Sequence, residues 1–529
     1  MKRTFIKMLP LVAAVLLATS CSKDSNDDNN VVIDPVETQN VASPDNDGVT
    51  IVPLTITVNK DGNSLSKASV DVTTDEGGKN TYTQKFIAGD VLVISNSAVL
   101  NSAATFTLKS TDEGKSTATF EGELSVKPGA TLTNGTTTLN AVLKNTGTDD
   151  NKKNSGDPVA GVQEVSSLAE GFEKYGYLTA DNFTYNGDKT SIQLVQNTAF
   201  VKVDLPFHGA KVTFKIGENE TVKYLNGDEI FAIPNGTYIE STLLGIDKTI
   251  NVLADGHKVV YNIKRTMPDG CIKGVFSVAD NKQVFFSKGN LQYNVNDSKF
   301  LLADNQWDYV GGMWNGKYYG TLSGNDNSNA QGPLVDLFGW GMWLDEITTK
   351  ESILKNTQNS SDYTPAVSDG QFADNKTTIE GTAWFTMSNA EWEYLFDTRE
   401  NHSLYGKGTV NGVSGLIVLP DKWIQPDGVS SLVTGGTSTK YSSNNYSDQA
   451  WEKMEDNGAL FLPAARRRYG SGFDAEYNLA HYWTSSASSE NSNRAGLLYF
   501  IDNGNTNKFE FTYWERYRGQ SVRLARGLK

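Results

Sequence analysis

The sequence predicts a mainly β protein: two tandem β-sandwiches followed by a third domain of α+β class. Three observations carry this. From residue 50 to 265, short alternating apolar and polar runs recur about every ten to fifteen residues between Gly, Asn and Asp, the signature of strands buried on one face. Hydrophobic residues are only 38 % of the chain and long helical periodicity is absent. All ten tryptophans lie between 307 and 514, so composition changes sharply inside the chain. The length of 529 residues fits three domains of ~150 residues.

Residues 1–20 read as an export signal. Lys2, Arg3 and Lys7 precede an apolar core from Met8 to Leu17. That core is too short for a bilayer, which needs ~20 residues. Leu17-Ala18-Thr19-Ser20-Cys21 resembles a bacterial lipobox, with Ala18 where Leu is commoner. The resemblance implies lipidation at Cys21 and an outer-membrane anchor. Ser22 to Asp28 resembles the acidic tags that send some lipoproteins to the cell surface, and residues 21–48 read as a flexible tether. Loss of the three basic residues of the signal takes the net charge from −15 to −18. An acidic chain repels phosphate backbones, so nucleic acid is not an expected partner. With Cys21 acylated only Cys271 remains, which leaves no intrachain disulfide and no cysteine metal cluster. His208, His257, His402 and His481 have no partner at ligand spacing and read as surface or packing residues.

The first sandwich is placed at 49–148. Its strands are Leu54 to Val58, a turn feeding Val91 to Ile94, Ala104 to Leu108 paired with Ser116 to Gly122 around Asp112-Glu113-Gly114, and Thr138 to Leu143. A polar break at 145–158 follows. The second sandwich is placed at 159–266, with one short helix within Ser166–Tyr175. Its strands are Ser191 to Leu194, Ala199 to Leu205, Lys211 to Ile216, Glu229 to Pro234 and Lys258 to Ile263. The order of Phe86…Gly89-Asp90, Ala104-Thr105-Phe106, Phe120-Glu121-Gly122, Asn197 to Val203 and Phe231-Ala232-Ile233-Pro234 resembles fimbrillin-type pilins and related lipoproteins. That resemblance implies two transthyretin-like sandwiches and, as partners, other pilin subunits joined by strand donation.

Pro268-Asp269-Gly270 marks the last boundary, and the third domain is placed at 271–529. Strands are read at Gly274 to Val278, Gln283 to Tyr293 and Gly412 to Pro420. A helix starts at Ser388, with Glu391 completing a capping box and Trp392, Leu395 and Phe396 on one face. Four elements follow one another: Phe286-Ser287-Lys288-Gly289-Asn290-Leu291-Gln292-Tyr293, Phe461-Leu462-Pro463-Ala464-Ala465, Tyr482-Trp483-Thr484-Ser485-Ser486 and Gly519-Gln520-Ser521-Val522-Arg523-Leu524. In this order they resemble the major-paralogous-domain modules of the C-type-lectin-like superfamily, near formylglycine-generating-enzyme domains. The resemblance implies an α+β fold whose first and last strands pair, with Trp483, Ser485, Val522 and Leu524 as scaffold.

Enzymatic chemistry is not expected. The sulfatase-modifying relatives need a copper-holding cysteine pair, and only Cys271 is present. Sugar-binding C-type lectins use a Ca²⁺ loop that Gln425-Pro426-Asp427 imitates, but Gly428 turns it and no Trp-Asn-Asp strand follows. Neither cofactor nor metal is expected. Arg466-Arg467-Arg468 reads either as an anion site or, preferably, as a partner of Asp474 and Glu476. What remains is recognition. The segment from 491 to 518 crowds arginines, aromatics and asparagines, the composition of a binding surface. The ligand-contacting candidates are Asn491, Asn493, Arg494, Tyr513, Trp514, Arg516, Tyr517 and Arg518, for an extracellular glycan or protein. Its density of Asn also fits a hypervariable segment of the kind some lectin-fold modules carry. A structural pilus subunit and a surface glycan-processing enzyme are the alternatives, the enzyme the weaker.

Overall fold

The structure, a computed structural model, describes residues 43–44, 49–59, 70–74, 80–146, 156–250, 260–294, 297–309, 312–314, 317–319, 334–341, 378–379, 382–435, 438–469, 472–473, 478–503 and 506–528. Cys21, the export signal and most of the tether lie outside the described residues. The chain is mainly β, in several sheets, as its alternating pattern requires. Among the described residues no helix is long and apolar enough to cross a membrane.

The first sheet runs in the order Ser43–Pro44, Thr50–Asn59, Thr117–Val126, Ala104–Leu108, Asp90–Ser95, Thr138–Asn145, Leu178–Thr184, Val195–Gln196. Alternate residues of these strands, including Leu54, Ile56, Phe106, Phe120 and Leu143, close one core. Phe86 and Phe120 meet edge to face at 5.3 Å. Gly114, at φ +77°, makes the tight turn before Thr117. Ser191–Gln193, expected in the second sandwich, instead pairs parallel with Thr50–Asn59 here. Leu178, Ile192 and Leu194 fill the same core. The first sheet therefore reaches past the expected boundary at 148, because alternation marks a strand and one buried face but not the partner the strand takes.

The second unit is built on one long hairpin, Thr198–Ile216 against Asn219–Pro234. Two strands were expected where Thr198–Ile216 is one. The strand continues through Pro206 because register shifts on either side of His208 absorb the missing donor, a bulge with Gly209 at φ +99°. Helix Leu168–Tyr175 packs on it, with Phe172 against Phe200 at 4.2 Å. Ser167 caps that helix, its Oγ accepting from the Glu170 N–H at 3.1 Å.

The bulge is also where this unit meets the last one. His208 pairs with Gly274, and Gln283 Nε2 donates to Gly209 O at 2.8 Å. Phe207 meets Phe285 edge to face at 5.0 Å, and Val275 and Phe285 belong to the second unit's core. The junction is a shared apolar core. Asp421 knits it: one carboxylate oxygen accepts from Ser277 Oγ at 2.6 Å and Gln283 Nε2 at 2.7 Å, the other from Arg399 at 3.0 Å.

In the last unit Cys271–Ala279 pairs with Lys282–Ser287, which pairs with the chain end Leu524–Arg526. The last strand was expected to pair with the first; instead Lys282–Ser287, the hairpin partner of the first strand, lies between them, because the tight turn after Ala279 takes up that edge first. The capping box at Ser388 and Glu391 forms, and helix Asn389–Glu393 runs on into a π-helical turn, Tyr394–Thr398. Trp392, Leu395 and Phe396 are buried together, as their spacing requires. Asn411 and Gly412, both at positive φ, close the hairpin Tyr405–Val410 with Val413–Val418. The outermost sheet is Leu479–Ala487, Arg494–Asp502 and Asn507–Glu515.

Candidate functional site

A buried polar knot holds the outermost sheet in place, and the four sequence elements of this domain converge on it. Arg523 is 1 % exposed. Its guanidinium donates to Ser287 O at 2.9 Å, Asn290 Oδ1 at 3.1 Å and Phe461 O at 2.7 Å. Asn290 Nδ2 donates to the Tyr482 hydroxyl at 3.2 Å, and that hydroxyl donates to Pro463 O at 2.8 Å. The planar fork of arginine suits this role, since it can satisfy several carbonyls from one buried point. Burial lowers the Arg523 guanidinium to about 10, so it stays charged at neutral pH. On the other face, Trp483 donates to Phe338 O and Trp340 to Thr484 O, each at 2.8 Å. Trp483, Ser485, Val522 and Leu524 are all buried, in keeping with a scaffold role.

The candidate residues lie on this scaffold's outer rim, on two faces. Along Asn507–Glu515 side chains alternate, so Phe509, Phe511 and Tyr513 point one way and Trp514 the other. Tyr513 is 42 % exposed. The structure does not bring it together with Trp514, because a strand cannot present neighbours on one face.

Trp514 is the centre of the other face. The Arg467 guanidinium lies 4.0 Å and that of Arg518 4.8 Å from its ring centroid. His481 packs on it at 4.7 Å and on Tyr499 at 4.8 Å. Arg516 covers Trp340 at 4.2 Å, and its Nε donates to Arg494 O at 3.1 Å. Glu515 accepts from Arg518 at 2.8 Å and Arg494 at 3.2 Å. Burial works against the charge on Glu515, but its own main-chain N–H and the two guanidiniums outweigh it and hold its carboxyl below the ordinary range. Asn491 and Asn493 are exposed and shape the turn before Arg494, with Asn491 Oδ1 accepting from the Asn493 N–H at 2.9 Å. Tyr517, between Arg516 and Arg518, is half-buried.

Arg467 and His481 were not among the expected contacts. Arg466 sits at φ +67° and its N–H donates to Leu479 O at 2.8 Å, a local twist beside which Arg467 stacks on Trp514. The expected partners Asp474 and Glu476 lie outside the described residues. His481, read as a surface or packing residue, is fully buried, and neither ring nitrogen has a hydrogen-bond partner among the described residues. Burial, then the charges of Arg467 and Arg518, push its imidazole well below the ordinary value, so it is neutral. A second arginine, Arg399, was also missed; with its partner Asp421 it is buried at the junction.

The described residues hold no cluster of three or more His, Cys, Asp or Glu side chains arranged to bind a metal ion. Gln425-Pro426-Asp427 forms a turn closed by the Val429 N–H donating to Pro426 O at 3.3 Å. What the rim offers is stacked, charged and aromatic contact area.

No family model matches the chain, and no curated protein matches it. Among solved structures, a fimbrial assembly protein from Parabacteroides distasonis is 11 % identical, with 48 % of this chain and 99 % of that one aligned at TM-score 0.19. The Bacillus anthracis TIE protein is 12 % identical over 48 % of this chain and 41 % of its own, at TM-score 0.13. The major pilin protein T3.2 of Streptococcus pyogenes is 11 % identical over 38 % and 85 %, at TM-score 0.11. Two of the three are fimbrial or pilin proteins by name. Identity and TM-score are both low, and no role is carried over from them.

Proposed function

We propose that this chain is a surface lipoprotein of adhesin or pilus-tip type. A lipid at Cys21 anchors it, the two N-terminal β units hold it away from the membrane, and the C-terminal, lectin-like domain binds an extracellular glycan or protein. The observation that carries the reading is the rim itself, where Arg467 and Arg518 stack on Trp514 beside the Arg494–Glu515 pair. Stacked arginines and indoles supply rigid contact area at low entropy cost, which is what interface hot spots use. The test is a glycan and protein array probed with the chain from residue 22 onward, wild type and the Trp514→Ala/Arg518→Ala variant. Loss of at least tenfold in affinity for the captured ligand is expected, as two hot-spot side chains are worth about 2 kcal/mol or more. Unchanged binding by a folded variant refutes the site.

A second reading, as a structural pilus subunit, is favoured by the first sheet. Strand Thr50–Asn59 is paired along its whole length on one side, but on the other only through its first two and last three residues. Among the described residues that leaves Val52 to Ile56 as an edge of the kind that accepts an added strand. Immunogold labelling of cells separates the readings: filaments support the subunit, isolated surface molecules the adhesin.

A further inference from the structure

We propose that Lys407 and Asn507 join in an intramolecular amide cross-link, with Nζ of the lysine bonded to Cγ of the asparagine. The bond would tie the hairpin Tyr405–Val410/Val413–Val418 to the outermost sheet, the one that carries the rim.

The two strands already meet in register for it. Tyr405 and Lys407 share one face of their strand, as Asn507 and Phe509 share one face of theirs. Tyr405 and Phe509 pack with ring centroids 5.2 Å apart. One step along, Lys407 Nζ donates to Asn507 Oδ1. The carbonyl of Thr439 accepts from Lys407 Nζ at 3.3 Å and from Asn507 Nδ2 at 3.2 Å. A single acceptor therefore holds both the nitrogen that would attack and the nitrogen that would leave. Lys407 is 0 % exposed, an unusual place for an ammonium. Burial lowers its amine to about 8, opposed by the charge of Asp502, so neutral, nucleophilic lysine is accessible near physiological pH.

Asp502 faces Asn507 across the hairpin as its register partner. It supplies the carboxylate through which the proton moves. The chemistry balances without any oxidant or co-reactant. The Lys407 amine adds to the Asn507 carboxamide carbon, the C–Nδ2 bond breaks, and the proton shed by Nζ leaves on Nδ2 as ammonia. Asn507 is itself exposed, so ammonia can escape to solvent.

The test is the intact mass of the chain from residue 22 onward under denaturing conditions, followed by tandem mass spectrometry of its peptides. The expected wild-type mass is about 17 Da below that of the sequence, one ammonia lost in forming an amide. A branched peptide should join the segments around 407 and 507. Lys407→Met and Asn507→Ala should each restore the full mass. A wild-type chain of full mass overturns the proposal. So does a 17 Da deficit that persists in Lys407→Met, which would mark succinimide formation at another asparagine.

Discussion

Arg399→Met puts the junction between the second and last units to a quantitative test. The substitution keeps an unbranched stem and removes the guanidinium. Arg399 and Asp421 have side chains only 1 % and 3 % exposed. The change deletes the 3.0 Å bond to Asp421 together with donations to Leu395 O at 2.9 Å and Leu419 O at 2.8 Å. Asp421 then keeps Ser277 and Gln283 as donors but loses the cation that balances it. Removing one partner of a buried pair leaves an uncompensated charge and costs about 3–5 kcal/mol. The double variant Arg399→Met/Asp421→Leu removes both charges and should recover a large part of that loss. Urea unfolding of the chain from residue 22 onward, followed by tryptophan emission, measures it. All ten tryptophans lie between 307 and 514, so the signal reports the last unit alone. A loss below about 1 kcal/mol for the single variant, the worth of an exposed pair, would refute the assignment of this pair as the junction's support.

Two further outcomes use the same assay. At Gly415 an added Cβ would lie 2.3 Å from Phe461 Cζ and 2.5 Å from Leu462 O, so Gly415→Ala should cost about 1–3 kcal/mol through overpacking, and an unchanged midpoint would show that the strands can part. His481 has its folded pKa pushed well below 6.5, so the unfolded chain binds the extra proton first and stability should fall as pH drops through and below 6.5. His481→Phe should flatten that part of the pH profile, and an unaltered slope would show that the imidazole finds a proton acceptor when folded.

Local elements were legible wherever one stretch of chain determines its own geometry. The capping box at Ser388 and Glu391, the Asp112-Glu113-Gly114 turn and the short helix behind Ser167 all close through neighbours within a few residues. Five strands of the first sheet were legible too, but Leu178–Thr184 was not read as one, and Ser191–Gln193 was not placeable, because its pairing with Thr50–Asn59 spans more than 130 residues of chain. Pro206 and Gly209 read as a break, whereas the structure uses them as a bulge inside one strand. The rim was legible as composition only. Arginine, aromatic and asparagine density flagged the segment from 491 to 518, but nothing local says that Arg467 would reach Trp514 or that Tyr513 would face away from it.

By itself the sequence determined the class of the fold, its local caps and turns, and the order of the four elements that build the last domain. Periodicity and capping are short-range and survive in one dimension. The tertiary structure decided why those four elements matter. Ser287, Asn290, Phe461, Pro463, Tyr482 and Arg523 meet in one buried network, drawn from positions up to 236 residues apart. It also decided that the second unit shares its core with the last through Phe207, Val275 and Phe285. Burial and hydrogen-bond satisfaction are properties of the packed chain as a whole. Arg523 becomes the fastener of a domain only once two distant strands bring the Ser287 and Phe461 carbonyls, and the chain between them the Asn290 side chain, to its guanidinium.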